Sequence, residues 1–501
     1  MKLKNNFPYD TDAYKLQHWL FKKENQNFLY EIGEARIGSK FSHTLFTGIT
    51  PILIDDFVGR VVTPDLLKEA KQQYYFTYKT HYGFNEIMWQ RIIDEYDGKL
   101  PLIIKSLPEG SVVQKGIPHF TIENDENLKF DVSPIVGHSE TLLMHCWLPT
   151  AVATNAFFMK IDYYRQLINC GHSHEEALKL IQIGNHDFGF RGVSGKEEAL
   201  RAGMAFLTVF DGSDTNIAQR GLNYYYNDNG ETLKTIFATE HSIAQSFGPG
   251  EGEFLYVEHV IDILLKGDFF GSSIVIDTYD SDNFVENVFC SKRIQEKVAL
   301  LKEAGKIIVL RPDSGNREMV TLRVLNALAN TYGYTFTNEG YKILPNHIRV
   351  IYGDGNNRET TKTLRDFIIL NKFTAANLVC GGGSGYLREL KRDDVHYAIK
   401  LSATKIDDKI INMIKNPKTD ATKKSKSGFV KVLLSGYADY SYIQSGSEYL
   451  SEAQFKGYVD NLQPIFKNGE YIPQNQNFAE LRERHMFFFK NPHELHRFSV
   501  E

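Results

Sequence analysis

Four short runs of mostly branched apolar residues, at 274–276, 306–310, 348–351 and 377–380, constrain the fold more than anything else in the chain. Each stops abruptly in polar or glycine-rich sequence: Asp277-Thr278-Tyr279-Asp280, Arg311-Pro312-Asp313-Ser314-Gly315, Gly353-Asp354-Gly355 and Gly381-Gly382-Gly383-Ser384-Gly385. Helical patterns follow the second and third, at 319–330 and 360–370. The unit recurs at roughly 30 to 40 residues, the length of a strand–loop–helix module. Strands that are apolar throughout need cover on both faces, as parallel strands have. Earlier candidates for the same sheet lie at 186–190, 206–210 and 235–239. The expectation is an α/β barrel over 184–385, with functional groups at the C-terminal ends of its strands. Residues 1–183 and 386–501 are expected to build a second, mixed α+β domain together.

A chain of 501 residues exceeds what one hydrophobic core usually organises, which agrees with two domains. Lys and Arg number 57 against 62 Asp and Glu, and the resulting net charge of −5 argues against a generic nucleic-acid binder. With 42% apolar and 24% charged residues, wholesale disorder is excluded. No uninterrupted apolar run reaches the roughly 18 residues needed to span a bilayer. The opening MKLKNNFPYDTD has no apolar signal region, and the four scattered cysteines form no CxxC pair, so a reducing cytoplasm is expected. Around Pro108, Gly110, Gly116 and Pro118 the alternation over 101–123 suggests short strands and turns. Cys170, His172, His174 and Glu175 look like metal ligands, but Ser173 and Glu176 form a capping box ahead of 177–181, which is the better reading.

The two glycine loops, 353–355 and 381–385, bring backbone N–H groups together with little side chain in the way. Nests of this kind accept phosphate oxygens just before a helix, and two at corresponding strand ends favour phosphate over a pair of tight turns. Neither is a Walker loop, and Pro249 removes Gly248-Pro249-Gly250-Glu251-Gly252 from consideration as a dinucleotide fingerprint. Arg311, Arg392, Lys400 and Lys415 are cations suited to phosphate, and Asp277 and Asp313 could hold a magnesium ion carried by a polyphosphate. Lys415, Lys418, Lys423, Lys424 and Lys426 read as a solvated loop. His241, next to Glu240, is a candidate acid, base or phosphoryl acceptor. Residues alone thus lead to a barrel enzyme handling magnesium and phosphate.

Several motifs resemble the type II phosphoribosyltransferase family, and within it the nicotinamide phosphoribosyltransferases. They are His186-Asp187-Phe188-Gly189-Phe190-Arg191-Gly192, Gly212-Ser213-Asp214-Thr215, Glu240-His241-Ser242, Arg311-Pro312-Asp313-Ser314-Gly315 and Gly353-Asp354-Gly355. The likeness extends to Thr11-Asp12-Ala13-Tyr14-Lys15, to the stretch from Trp147 to Asn155, and to Gly340-Tyr341-Lys342-Ile343-Leu344-Pro345. It implies an incomplete parallel α/β barrel with a mixed domain, a homodimer with shared active sites, and synthesis of nicotinamide mononucleotide and pyrophosphate in NAD salvage. The substrates would be nicotinamide and 5-phosphoribosyl 1-pyrophosphate, with magnesium as cofactor and ATP as co-substrate.

Carried over by motif, Phe188 and the partner's Tyr14 would sandwich the pyridine, Arg191 would donate to the amide oxygen, and Asp214 would accept from the amide N–H₂. A carboxylate at 214 welcomes an amide and repels the carboxylate of nicotinate. Arg311, Gly353, Asp354, Gly383 and Ser384 would hold the ribose and its 5-phosphate. Arg36, Arg392, Lys400 and Lys415 would face phosphates, some from across the dimer. His241, oriented by Asp277, corresponds to a histidine phosphorylated by ATP; Asp277 and Asp313 are the magnesium-side candidates. Three departures stand out: Phe190 for a tyrosine, Ser384 and Tyr386 within a glycine loop, and Ala398 for a phosphate-contacting serine. The rivals are a nicotinate phosphoribosyltransferase, against which Asp214 speaks, and a non-catalytic binding protein that keeps the fold.

Overall fold

The computed structural model describes residues 5–127, 130–435, 439–444, 459–474 and 477–500. Seven parallel strands form its central sheet: β1 (Asn185–Asp187), β2 (Gly212–Ser213), β3 (Phe237–Ala238), β4 (Gly271–Val275), β5 (Ile307–Arg311), β6 (Ile348–Tyr352) and β7 (Leu378–Gly382). Their order is β2-β1-β7-β6-β5-β4-β3. Lys234, just ahead of β3, bridges Gly212 of β2, so the two edges curl toward each other. The fold is therefore an incomplete parallel α/β barrel.

The apolar runs become β4 to β7 because helices cover them. Every residue of β4 is buried, as are Ile308, Val309 and Leu310 of β5. Asn316 and Asn357 cap the helices Arg317–Tyr332 and Arg358–Leu370, their side chains accepting from Met319 N–H and Thr360 N–H. One expected strand is absent. Residues 206 and 207 end the helix Lys196–Leu207 and 208–210 turn out of it, with Phe206 and Phe210 both facing the core. A short apolar run has no periodicity of its own to separate strand from helix. The strand is the two-residue β2 that follows.

The second sheet is antiparallel and draws on both parts of the chain: Lys409–Asn412, Tyr397–Ile406, Gln26–Ala35, Pro118–Asn124, Leu102–Ser106, Gln463–Lys467 and Glu470–Tyr471, in that spatial order. The helix Pro134–Met144 packs on this sheet, and the helix Trp147–Asn169, most of whose side chains are buried, packs against the barrel helices Lys196–Leu207 and Arg358–Leu370. The segment Pro134–Asn169 is long and apolar enough to cross a membrane by composition, but 72% of its apolar window lies inside the fold. Glu109 joins the two units. Its buried carboxylate accepts from Ile49 N–H at 3.0 Å and Thr50 hydroxyl at 2.6 Å on one side, and from the Tyr226 hydroxyl of the barrel helix Asn216–Tyr226 on the other.

The capping box at Ser173 and Glu176 is present. His172 instead bonds Thr374, and His174 bonds Tyr164, so the apparent ligand cluster points apart. Among the described residues no group of three or more acidic, histidine or cysteine side chains could hold a metal. The lysine-rich segment is not wholly solvated: Lys426 is buried, pairs with Glu34 and sits 4.5 Å from the Tyr442 ring.

Candidate active site

The C-terminal ends of the parallel strands bring Asp187, Asp214, Asp277, Arg311, Asp313, Gly353 and Gly383 to one mouth. Asp187, at the end of β1, anchors one side. Fully buried, it accepts from Gly189 N–H at 2.6 Å and from the Ser213 hydroxyl at 2.8 Å, while its carbonyl accepts from Asp214 N–H. Burial raises its pKa against these hydrogen bonds. One carboxylate thus fixes both the turn carrying Phe188 and Arg191 and the strand end carrying Asp214.

Asp214 is exposed at this mouth. Its Oδ1 receives the Thr235 hydroxyl at 2.5 Å and meets His186 Nε2 at 3.1 Å, while Oδ2 has no partner among the described residues. Burial works to raise its pKa, but hydrogen bonding and charge from His186, then Thr235 and Arg311, leave it below the usual carboxylate value. The anion is therefore the stable form. The Phe188 ring lies 4.8 Å from the His186 ring. It packs closely on β7: a Cβ at Gly381 would come within 2.1 Å of Phe188 Cε2. Arg191 is exposed in the turn Phe190–Gly192, with no recorded partner among the described residues. Phe190 is exposed, so its missing hydroxyl costs no internal bond.

The neighbouring part of the mouth is a charged chain. His241 begins the helix His241–Phe247, and its Nε2 lies 3.0 Å from Asp277 Oδ1. Asp277 Oδ2 accepts from Asp313 N–H at 3.2 Å. Arg311 bonds Asp313 Oδ2 at 3.1 Å through Nε and the Thr239 carbonyl at 2.9 Å through Nη2. Burial raises the Asp313 pKa, opposed by Arg311 and helped by the charge on Asp277. A Cβ at Gly353 would lie 2.7 Å from Asp313 Oδ1, so a larger residue there would push that carboxylate aside. Asp354 is exposed, and Gly383 caps the short helix Ser384–Leu387. Tyr386 is buried, its ring packed against Gly382 and its hydroxyl bonded to Thr361 and the Cys380 carbonyl.

The two carboxylates proposed for magnesium are not equivalent. Both oxygens of Asp277 are engaged, by His241 and by the Asp313 backbone, which leaves it poorly suited to a metal. Asp313 uses only Oδ2 and keeps Oδ1 beside Gly353. This donor set fits an ion that arrives bound to a diphosphate, not one held by the protein alone.

Tyr14, Arg36, Arg392, Lys400 and Lys415 lie apart from this mouth, on the antiparallel-sheet unit. Tyr14 is 61% exposed and packs on His18. Lys400 meets Glu140 at 3.4 Å, and Glu140 also holds Lys15. Arg36 bonds the Lys423 carbonyl at 3.5 Å, and its pKa is lowered by burial, against Glu34, with Arg392 nearby also lowering it. Arg392 and Lys415 are exposed. Among the described residues no recorded hydrogen bond, ion pair or ring contact joins these five to the barrel mouth. Ala398 pairs with Glu34 in the same sheet.

Sequence reasoning missed four contributors. His186 and Thr235 hold Asp214, and Asp187 anchors two loops. Asn356 donates its amide N–H₂ to the carbonyls of Tyr352 and Gly381, tying the two glycine loops together. His186 and Asp187 stand inside a quoted motif and could have been found there; Asn356 and Thr235 carry no sequence signal.

The profile of the Nicotinate phosphoribosyltransferase (NAPRTase) family matches residues 183–470, over half the chain. That of the Nicotinamide phosphoribosyltransferase, N-terminal domain, matches residues 6–104. A nicotinamide phosphoribosyltransferase of Xanthomonas campestris pv. campestris is 31% identical over 472 residues, covering 93% of this chain and 96% of that one. One from Mycoplasma genitalium is 27% identical over 450 residues, covering 84% and 94%. In fold, the chain is similar to nicotinate-nucleotide pyrophosphorylase from Pyrococcus furiosus, with TM-score 0.59 and 14% identity over 98% of this chain and 97% of that one. Human Nicotinic Acid Phosphoribosyltransferase gives 0.54 and 15% over 98% and 94%. The chain belongs to the nicotinate phosphoribosyltransferase (NAPRTase) family and is a pentosyltransferase of NAD salvage with the type II phosphoribosyltransferase fold.

Proposed function

We propose that the pyridine substrate is nicotinamide, which this enzyme joins to 5-phosphoribosyl 1-pyrophosphate, releasing pyrophosphate and nicotinamide mononucleotide. The observation that carries this reading is the ionised Asp214, whose Oδ2 has no partner among the described residues and whose neighbour His186 packs on the Phe188 ring. An oxygen that only accepts suits a carboxamide N–H₂ and repels a second carboxylate by about 1–4 kcal/mol at contact distance, depending on how wet the site is. Phe188 stacks on the ring, and Arg191 donates to the amide oxygen.

The ring nitrogen attacks the anomeric carbon as the bond to the diphosphate oxygen breaks. Positive charge develops on the sugar and negative charge on the leaving group, so cations on the diphosphate lower the barrier most. Arg36, Arg392, Lys400 and Lys415 serve that end, while Arg311, with Gly353, Asp354, Gly383 and Ser384, holds the ribose and its 5-phosphate. Asp313 is the carboxylate that would meet a magnesium ion carried on the diphosphate, which would supply neutralisation there. Tyr14, Arg36, Arg392, Lys400 and Lys415 sit on the other unit, and a homodimer with shared sites brings a partner's set to each mouth. ATP acts through His241: with Nε2 held by Asp277, Nδ1 is the free nucleophile for the terminal phosphorus, ADP leaves, and Asp277 steadies the positive ring.

Product analysis with nicotinamide and nicotinate, each with and without ATP, tests the reading. Mononucleotide formed only from nicotinamide supports it, and product only from the acid assigns the nicotinate reaction instead. No product from either, with magnesium and the sugar diphosphate present, supports a binding protein.

A further inference from the structure

The Asp214 carboxylate is held asymmetrically. Both of its donors, the Thr235 hydroxyl at 2.5 Å and His186 Nε2 at 3.1 Å, converge on Oδ1, and neither touches Oδ2. They come from opposite sides: His186 from the end of β1, and Thr235 from the segment that enters β3 after Lys234 bridges β2. The imidazole is itself confined, 13% exposed and packed at 4.8 Å against the Phe188 ring. With its backbone N–H also fixed to the Asp187 carbonyl, residue 214 is restrained at three points.

Two donors on one oxygen do two things. They stop the carboxylate from rotating about its terminal bond, a torsion that is otherwise broad and roughly two-fold. They also leave the second oxygen as the only acceptor offered to a ligand. From this geometry we infer that His186 and Thr235 are positioning residues for pyridine selectivity, fixing Asp214 so that Oδ2 alone meets the substrate's amide. They touch the carboxylate rather than the reacting atoms. The inference rests on Asp214 reading nicotinamide as proposed above, and it adds that the carboxylate selects only while held by these two donors.

The test measures kcat and KM for nicotinamide, nicotinate and the sugar diphosphate in Thr235→Val, Thr235→Ser, His186→Ala, His186→Gln and Asp214→Ala. Thr235 is exposed, so its valine variant keeps the fold while losing only the hydroxyl. Thr235→Val and His186→Ala should each raise the nicotinamide KM roughly tenfold, the equivalent of one hydrogen bond. They should narrow the preference over nicotinate and leave the KM of the sugar diphosphate unchanged. Thr235→Ser, and His186→Gln with its amide N–H at a similar reach, should recover most of the loss. A merely structural role would shift all three KM values together and would show no rescue; either result overturns the inference. If Asp214→Ala loses selectivity while Thr235→Val and His186→Ala keep it, positioning is refuted and the nicotinamide reading survives. If Asp214→Ala keeps full selectivity, both fall.

Discussion

Replacing Gly381 by alanine tests the stacking role proposed for Phe188. An ideal Cβ at this position would lie 2.1 Å from Cε2, 2.7 Å from Cδ2 and 3.2 Å from Cζ of Phe188. The strand cannot yield easily, because Gly381 pairs with His186 of β1 and its carbonyl accepts from Asn356. The half-buried ring must move instead, by more than an ångström. Overpacking of this kind costs about 1–3 kcal/mol of stability, and a displacement of that size costs on the order of 100-fold in turnover. Urea denaturation and steady-state kinetics on Gly381→Ala, Phe188→Ala and the double variant form a thermodynamic cycle. The alanine at 381 should cost little stability once the ring is gone, giving a coupling of about 1 kcal/mol or more. Gly195→Ala is the control: its φ of −179° suits any residue and nothing lies within 4 Å of the added Cβ, so stability should change by under about 0.5 kcal/mol. A Gly381→Ala enzyme as stable and active as the parent, or a cost unchanged without Phe188, refutes the reasoning.

His241→Ala should lose ATP stimulation while retaining slower transfer without ATP, and Asp277→Asn should weaken the same stimulation roughly tenfold through loss of a charged hydrogen bond. ATP hydrolysis coupled to product formation is the measurement, and full stimulation in His241→Ala excludes this histidine as the phosphoryl acceptor. Tyr14→Ala and Asp214→Ala, each impaired alone, should regain about a quarter of parental activity when coexpressed, because half of the mixed dimers' sites are intact. No gain would place the whole site within one subunit. Burial, then the charge of Glu140, pushes the Glu31 carboxyl up to about 7, against the pull of Lys15 and Lys400. A raised acid contributes stability that is complete below its unfolded value of about 4.5 and is lost as pH rises through about 7, up to about 3 kcal/mol. Urea midpoints between pH 4.5 and 8 should therefore fall less steeply in Glu31→Gln; an identical slope rejects the assignment.

The apolar runs and their polar ends were legible because parallel strands under helices must be apolar throughout, and a strand's end must be polar where it meets solvent. That logic located β4 to β7 and placed Asp277, Arg311, Asp313 and Gly353 at one mouth. The sheet's edge strands escaped it. β2 and β3 are only two residues long, held by neighbours and the Lys234 bridge, so they carry no pattern.

By itself the sequence determined the barrel's strands and the chemical identity of its charged groups, because hydrophobic pattern and residue type are local properties. Only the tertiary structure decided which atoms of those groups remain free. Asp277 and Asp313 look alike in a sequence, yet one has both oxygens engaged and the other does not. Asp214 has one oxygen without a partner among the described residues because His186, 28 residues earlier, and Thr235, 21 later, meet on the other. Such commitments depend on the directions of hydrogen bonds between distant segments, which exist only once the chain has folded.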